Sequence, residues 1–375
     1  MTFWIALALG SALLLLIPWV LYPWLAIRLA PARDPAPGGA MSTGENVSVV
    51  LATREAPAAV RARLADLLAG TWPAGRLDLV VGVDGDAEAY RFGDLVPAPN
   101  RLVVVAGDLP GGKASALNAA MLAVTTELVV CTDTQQRFAP DAIARLVAAL
   151  DDRRFGAVSG ALRLGNEAIP ESLLGRYWSE ERRLRAAEAR LHSTVGVSGS
   201  IYAMRRSLWA PLPAGLILDD LWIPMRLVLG GHRVGFEPGA EASDVRTTTS
   251  GQEFERKVRT LTGNLQLMAW LPAVLLPWRN PDWIQFVCHK LLRLATPYAL
   301  AGLGIGVLGA AFSVRPAIGW TLLAGLLLLA LVALLWRNGP GGRVRQGLEW
   351  VLSMQGAILV ATWHGIRGEW NVWKR

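Results

Sequence analysis

Between Phe3 and Leu29 the chain carries no charged residue before Arg28. At about 1.5 Å per helical residue, a run of that length crosses the roughly 30 Å of hydrocarbon in a bilayer. A cleaved signal peptide would open on basic residues. Here the start is Met1-Thr2-Phe3-Trp4, and the positive charges, Arg28 and Arg33, follow the apolar run. The pattern predicts an uncleaved transmembrane anchor over residues 1–30, with the N-terminus outside and the following domain in the cytoplasm, because Lys and Arg mark the cytoplasmic flank. Residues 31–45, rich in Pro and Gly, read as a linker.

Apolar runs return at the other end. Leu291–Phe312 and Ile318–Trp336 are long enough to span, and Arg337, Arg343 and Arg345 follow them. Leu265–Trp278 is too short to span and is broken by Pro272 and Pro277, which suits a segment lying in the interface. Trp350–Trp363 includes Ser353, Gln355 and Thr362 and either spans or lies as an interfacial or re-entrant helix; spanning would put Arg367, Lys374 and Arg375 outside, against the charge rule, which favours the second. The expected organisation is therefore an anchor at 1–30, a linker at 31–45, a cytoplasmic domain at 46–264, interfacial helices at 265–290 and a C-terminal membrane domain at 291–375. Charge follows the same division. From Trp278 onward ten Lys/Arg face three Asp/Glu, which accounts for the whole net charge of +7, and residues 1–277 balance. The basic residues flank apolar segments and do not form a nucleic-acid-binding surface. Only four of the basic residues are Lys, a usage that hints at a GC-rich bacterial genome; with the apolar spans and their flanking charges, the expectation is a multi-pass protein of a bacterial inner membrane. Cys131 and Cys288 have no partner at metal-ligand spacing, so neither a zinc site nor a disulfide framework is expected.

The middle alternates strand and helix. Apolar, β-branched runs at Val47–Ala52, Leu77–Val83, Arg101–Ala106, Glu127–Cys131 and Gly156–Gly160 alternate with helical patterns at Pro57–Gly70, Ser115–Val124 and Pro140–Leu150. This order predicts an α/β domain with a parallel, doubly wound sheet, in which ligands bind at the carboxyl ends of the strands. Further on, Leu173–Leu191 is a charged helix, Gly196–Met204 a turn and strand, Asp219–Leu229 a helix and His232–Phe236 a short strand.

Several polar clusters stand at or near that edge. Asp84-Gly85-Asp86 is either a tight turn or a carboxylate that accepts hydrogen bonds from a nucleotide. Gly107–Lys113 nearly reproduces a phosphate-binding loop, but Ala114 stands where the magnesium-binding hydroxyl belongs and Ser115 comes one residue late. An ATPase is one reading of it. Asp133 either caps a turn or holds a divalent metal on a diphosphate, since magnesium takes one or two carboxylates plus phosphate oxygens. Capping accounts for one of Asp219-Asp220, and a general base is the role open to the other. Arg256, Lys257 and Arg259 either reach lipid headgroups or clamp a diphosphate.

In this order the clusters resemble the membrane-bound inverting glycosyltransferases of family 2, the cellulose-, chitin- and hyaluronan-synthase-like group. The resemblance covers residues 45–270. It rests on Ala52-Thr53-Arg54-Glu55, Val83-Asp84-Gly85-Asp86, the G-K-x-x-A-L-N motif Gly112–Asn118, Asp133-Thr134-Gln135, Ser198–Ala203 and Asp219-Asp220. It implies a GT-A-type, Rossmann-like fold with a mixed or parallel sheet, and transfer of a sugar from a UDP-linked donor to a glycan or lipid acceptor, as in exopolysaccharide synthesis. Membrane lipids and an export subunit are the implied partners. Glu55, Asp84 and Lys113 would contact the nucleotide. Asp133, with Gln135 in place of the family's second carboxylate, would hold Mg2+ or Mn2+. Arg256 and Arg259 would meet the donor diphosphate, Ser198, Tyr202 and Asp219 would face the acceptor, and Asp220 would be the base. The family's Q-x-x-R-W motif is absent; Arg256-Lys-Val-Arg259-Thr260 is its nearest match. That loss and Gln135 are the support for the rival reading, a degenerate membrane scaffold or secretion subunit, and the intact set Asp84, Lys113, Asp133 and Asp220 argues against it.

Overall fold

A computed structural model describes residues 1–32, 45–73, 75–93, 95–96, 100–164, 173–244, 250–335 and 340–371. Most of the expected linker, 33–44, lies outside them, as do Trp336, Arg337, Lys374 and Arg375. The chain forms two units: Ala26–Thr248 with Gln266–Trp283, and Met1–Leu25 with Thr249–Leu265 and Ile284–Arg375.

The first unit is built on an eight-stranded sheet. Its strands are β1 (Val47–Thr53), β2 (Leu77–Val83), β3 (Leu102–Ala106), β4 (Leu128–Thr132), β5 (Gln136–Phe138), β6 (Phe155–Leu164), β7 (Ile201–Arg205) and β8 (Arg233–Asp244). The order is β3-β2-β1-β4-β7-β6-β8-β5. The first four strands in that order are parallel, as the alternating pattern predicts. The other half departs from it: β7 runs antiparallel to both β4 and β6, and β5 runs antiparallel to β8, so the sheet is mixed.

Register fixes where the polar clusters emerge. Thr53 lies beside Val83, and Leu51 beside Thr132. The residues just beyond these pairs, Glu55, Asp84 and Asp133, therefore leave the sheet along one edge. β1 is buried at every position, the signature of a strand covered on both faces. The helix Lys113–Ala123 buries Ala114, Ala116, Leu117, Ala120 and Met121. It lies so close to β2 that a Cβ on Gly82 would overlap the Ala116 carbonyl oxygen, so only glycine fits there. This close approach brings Lys113, at the helix N-terminus, to the same edge.

Residues 266–283 belong with the sheet and do not stand apart as the interfacial piece expected over 265–290. Gln266, Val274 and Asp282 are fully buried, because the segment packs as part of this unit's interior.

The second unit is helical. Thr2–Leu16 continues through a π-turn at Ile17–Leu21 into Tyr22–Leu29; Pro18, which has no N–H, accounts for the irregularity. The first part of Ser250–Trp270, the short helical turns from Ile284 to Leu294, and the helices Thr296–Val314, Pro316–Leu335 and Pro340–Arg367 also belong to it. Thr2–Leu29 and Thr296–Val314 are long and apolar enough to cross a membrane. The stretch expected as a short helix at 350–363 lies inside the 28-residue helix Pro340–Arg367.

Candidate active site

Asp84 follows β2 directly. Its backbone N–H donates to the Thr53 carbonyl (2.8 Å), and its Oδ1 accepts the Gly112 N–H at 2.7 Å. A Cβ on Gly111 would stand 2.8 Å from that oxygen, and Gly111 and Gly112 both have positive φ (86° and 96°). The glycines let the loop fold over the carboxylate. Asp86 is the turn former of the cluster, accepting the Glu88 N–H at 2.9 Å. Glu55 is exposed. Its backbone N–H donates to Thr53 Oγ1, and its carbonyl accepts the Tyr90 hydroxyl at 2.7 Å.

Lys113 gathers the remaining acids. Its Nζ lies 3.2 Å from Asp133 Oδ1 and 3.2 Å from Asp219 Oδ2. Burial works against the lysine charge, but Asp133, Asp219 and Asp220 outweigh it and hold the ammonium well above the ordinary lysine value. The phosphate-loop reading finds no support in this geometry. The loop offers no hydroxyl for a magnesium ion: Ala114 stands at that position, and the Ser115 hydroxyl donates to the Asp108 carbonyl at 2.5 Å.

Capping does not explain Asp219-Asp220. The N-cap of the helix Asp219–Leu229 is Leu218, and no side chain caps it. Both acids sit in the first turn, where the helix dipole favours negative charge. Asp219 is buried. Asp220 packs on the turn before β7: a Cβ on Gly199 would lie 3.2 Å from Asp220 Cβ and 3.4 Å from its Oδ2. The Val197 N–H donates to the Asp220 carbonyl (2.9 Å), and the Ser198 N–H to Ser159 Oγ (2.9 Å). Ser198, expected on the acceptor side, thus directly follows the Val197 N–H that bonds Asp220.

Tyr202 is not where the acceptor reading needs it. It has no exposed surface, because β7 pairs it directly with Cys131 in the interior of the sheet. Burial raises the Tyr202 phenol well above its ordinary value and pushes the Cys131 thiol up to about 12. Tyr202 is therefore part of the floor beneath the site.

Gln135 stands three residues past the end of β4, half-buried; its neighbour Gln136 is buried and donates to Asp244 Oδ2 at 2.8 Å. Among the described residues no three His, Cys, Asp or Glu side chains form a metal cage. A metal carried by a diphosphate needs only one or two protein oxygens. Asp133, partly exposed and already facing a cation, meets that requirement. Arg256 and Arg259 lie on Ser250–Trp270 in the part assigned to the other unit, and their role rests on the resemblance alone.

Arg63, which drew no attention in the sequence, is fully buried under this edge. It bonds Asp66, donates to Thr132 Oγ1 at 2.8 Å and lies 4.3 Å over the Phe138 ring. Burial pushes its guanidinium down to about 10. Thr132 passes the contact on, donating to the Ser200 carbonyl at 2.9 Å. The signal was its place among Val60, Leu64 and Leu67 on the buried stripe of Pro57–Leu68.

A mixed sheet with an acidic and lysine cluster at its carboxyl edge agrees with the comparisons to known proteins. The family model "Glycosyltransferase like family 2" matches residues 45–263, more than half of the chain, and the chain belongs to that family. An N-acetylglucosaminyltransferase from Mesorhizobium japonicum is 26% identical over 253 residues, covering 61% of this chain and 59% of that protein. The mannosyltransferase PcManGT from Pyrobaculum calidifontis, solved with GDP-Man and Mn2+, shares the fold with a TM-score of 0.72 at 23% identity, covering 98% of this chain and 99% of its own.

Proposed function

We propose that the protein transfers a sugar, with inversion, from a nucleotide-sugar to the hydroxyl of a glycan or lipid acceptor at a membrane. The observation that carries this reading is the Lys113 ammonium held 3.2 Å from both Asp133 and Asp219 beside Asp220, at the carboxyl edge of a family 2 domain.

The donor would lie along the edge defined by Glu55, Asp84 and Lys113, with its diphosphate toward Lys113 and Asp133. Asp133 would hold Mg2+ or Mn2+, with Gln135 nearby; the structural relative was solved with Mn2+. A metal bound there would neutralise charge on the departing diphosphate. Lys113 adds a permanent positive charge at the same place, preorganised by two carboxylates that its reach toward phosphate would leave to the metal and to the acceptor. Asp220 would take the proton of the acceptor hydroxyl as it attacks the anomeric carbon from the face opposite the diphosphate. A uridine nucleotide follows from the family resemblance. Guanosine is the second reading, because the structural relative holds GDP-Man. The apolar helices Thr2–Leu29 and Thr296–Val314 favour a membrane setting and an acceptor that is membrane-borne or exported, the latter through a partner subunit.

The test is donor turnover by the purified protein with Mn2+ and a panel of UDP-glucose, UDP-N-acetylglucosamine and GDP-mannose. One donor should be consumed, and Asp220→Asn should lower turnover by about 10²–10⁴-fold with donor affinity kept. Near-normal turnover in Asp220→Asn removes the base from the mechanism. No metal-dependent turnover of any donor would favour the degenerate scaffold.

A further inference from the structure

We propose that Asn118 and Gln266 are positioning residues for Asp219 and Asp220: two carboxamides that together clamp the loop leading into the acids. The proposal rests on the reading of Asp220 as the base.

The loop between the turn Arg206–Leu208 and the helix Asp219–Leu229 runs Trp-Ala-Pro-Leu-Pro-Ala-Gly-Leu-Ile-Leu. It belongs to no strand, and its prolines remove two N–H donors, so its backbone has few ways to hold itself. One short internal bond is present, Leu216 N–H to the Pro213 carbonyl at 3.2 Å. The stronger bonds go to two side chains. The Leu212 N–H donates to Asn118 Oδ1 at 2.8 Å, and Asn118 Nδ2 donates back to the Leu212 carbonyl at 2.9 Å. The Ile217 N–H donates to Gln266 Oε1 at 2.8 Å, and Gln266 Nε2 donates to the Gly215 carbonyl at 3.0 Å.

Each clamp uses both ends of a carboxamide, accepting from one backbone group and donating to another. An ionised carboxylate cannot donate, and an apolar side chain of the same size can do neither. Gln266 has no exposed surface, so its two bonds are made out of reach of water, where leaving a partner unmet is expensive. Gly215, at φ 75°, supplies the turn that brings its carbonyl and the Ile217 N–H to the same amide.

The position of the clamps gives them their role. Asn118 is on the helix that begins at Lys113, so the clamp on Leu212 ties the loop to the element that carries the ammonium. Gln266 grips the loop one residue before Leu218, the N-cap of the helix that opens with Asp219-Asp220. Between them they set the register of the acids against Lys113, the register seen as the 3.2 Å Lys113–Asp219 contact. A displacement of about 1 Å at reacting groups can remove about 10² in rate, so a loosened loop should be felt in turnover before it is felt in donor binding.

The experiment combines a mutant cycle with hydrogen exchange on the full chain in detergent. Gln266→Met and Asn118→Leu, alone and with Asp220→Asn, are assayed for release of nucleoside diphosphate from UDP-N-acetylglucosamine and GDP-mannose with Mn2+. Each clamp variant should lose about 10–100-fold in kcat with donor KM changed less than about threefold. In the Asp220→Asn background the same substitutions should cost less than about twofold, because residues that act through one group are not additive. Equal losses in both backgrounds would overturn the proposal and leave the clamps a purely structural role. If Asp220→Asn proves near-normal, the base reading fails separately. Exchange then decides the clamp, since it needs no turnover. Amides of 212–218 should exchange at least tenfold faster in Gln266→Met, with those of β1 and β4 unchanged as the check on folding. Unchanged exchange in 212–218 would overturn the proposal. So would faster exchange throughout the sheet.

Discussion

Lys113 is the residue on which the cluster turns. It sits at the N-terminus of a helix, where the dipole disfavours a cation, and it is partly buried, which disfavours charge again. It stays charged because Asp133, Asp219 and Asp220 surround it. A raised folded value means that its stabilising contribution is whole below the ordinary lysine range and is lost only as pH climbs through the higher folded value. Lys113→Met should therefore destabilise the protein by on the order of 1–2 kcal/mol, and the gap from wild type should be flat from about pH 6 to pH 9, below the ordinary lysine value. Thermal unfolding in detergent at several pH values measures the gap. If it closes steadily toward pH 9, the ammonium is not held as the geometry requires. The same variant should lose donor turnover, since it removes the cation facing the diphosphate.

Helices and strands show how far sequence reaches. β1, β2 and β4 were legible because each is an apolar, β-branched run closed by a polar residue, and in a parallel sheet those closures share one edge. The acids at that edge were legible for the same reason. β5, three residues long, and the second half of β8, Glu-Pro-Gly-Ala-Glu-Ala-Ser-Asp, were not. Their composition disfavours strand, and they extend only because they pair with each other and with β6. The direction of β7 was hidden too, being set by the path of its connections. Arg63 and Gln266 were not legible, and the clamp made by Asn118, the last residue of the G-K-x-x-A-L-N motif, was not either, because their partners are 69, 49 and 94 residues away in the chain, and those of Gln266 and Asn118 are backbone groups that no side-chain pattern reports. The close packing of Thr2–Leu16 on Thr296–Val314 was equally invisible. A Cβ on Gly306 would stand 2.6 Å from the Ala8 nitrogen and 2.9 Å from the Trp4 carbonyl oxygen, both backbone atoms that cannot move aside. Gly306→Leu should then separate the pair and lower stability by about 2 kcal/mol. Gly304→Leu, with nothing within 4 Å of the added Cβ, should be silent. Equal melting temperatures for the two variants in detergent would show that the helices do not meet as described.

The two units place opposite demands on solvent. The sheet unit buries apolar side chains on both faces of its sheet: Val47, Val49 and Leu51 pack in one cluster with Val60, Leu64 and Ile143, and Val50, Val80 and Val129, which alternate with the inward residues of that cluster along their strands, are buried as well. The helical unit leaves Leu9, Leu13, Ile305, Trp320, Leu326, Leu327 and Leu331 at 50% exposure or more. Water tolerates scattered apolar side chains but not whole helices of them. Hydrocarbon does tolerate them, and the backbone groups of a helix are already satisfied when it enters. The net charge of +7 carried from Trp278 onward, among these helices, is the pattern expected of segments flanked by a negatively charged inner leaflet. The full chain should therefore remain in the membrane pellet after an alkaline carbonate wash. The flanking charges predict an orientation with Thr2 outside and the sheet unit inside. In a Cys288→Ser background, in which buried Cys131 stays shielded, an impermeant maleimide applied to intact cells should label Thr2→Cys and spare Glu88→Cys, an exposed position on the sheet unit. After lysis both should react. Labelling of Glu88→Cys in intact cells would put the sheet unit on the wrong side of the bilayer for a nucleotide-sugar made in the cytoplasm. Extraction of the unmodified chain by carbonate would mean that its apolar helices are covered by something other than lipid.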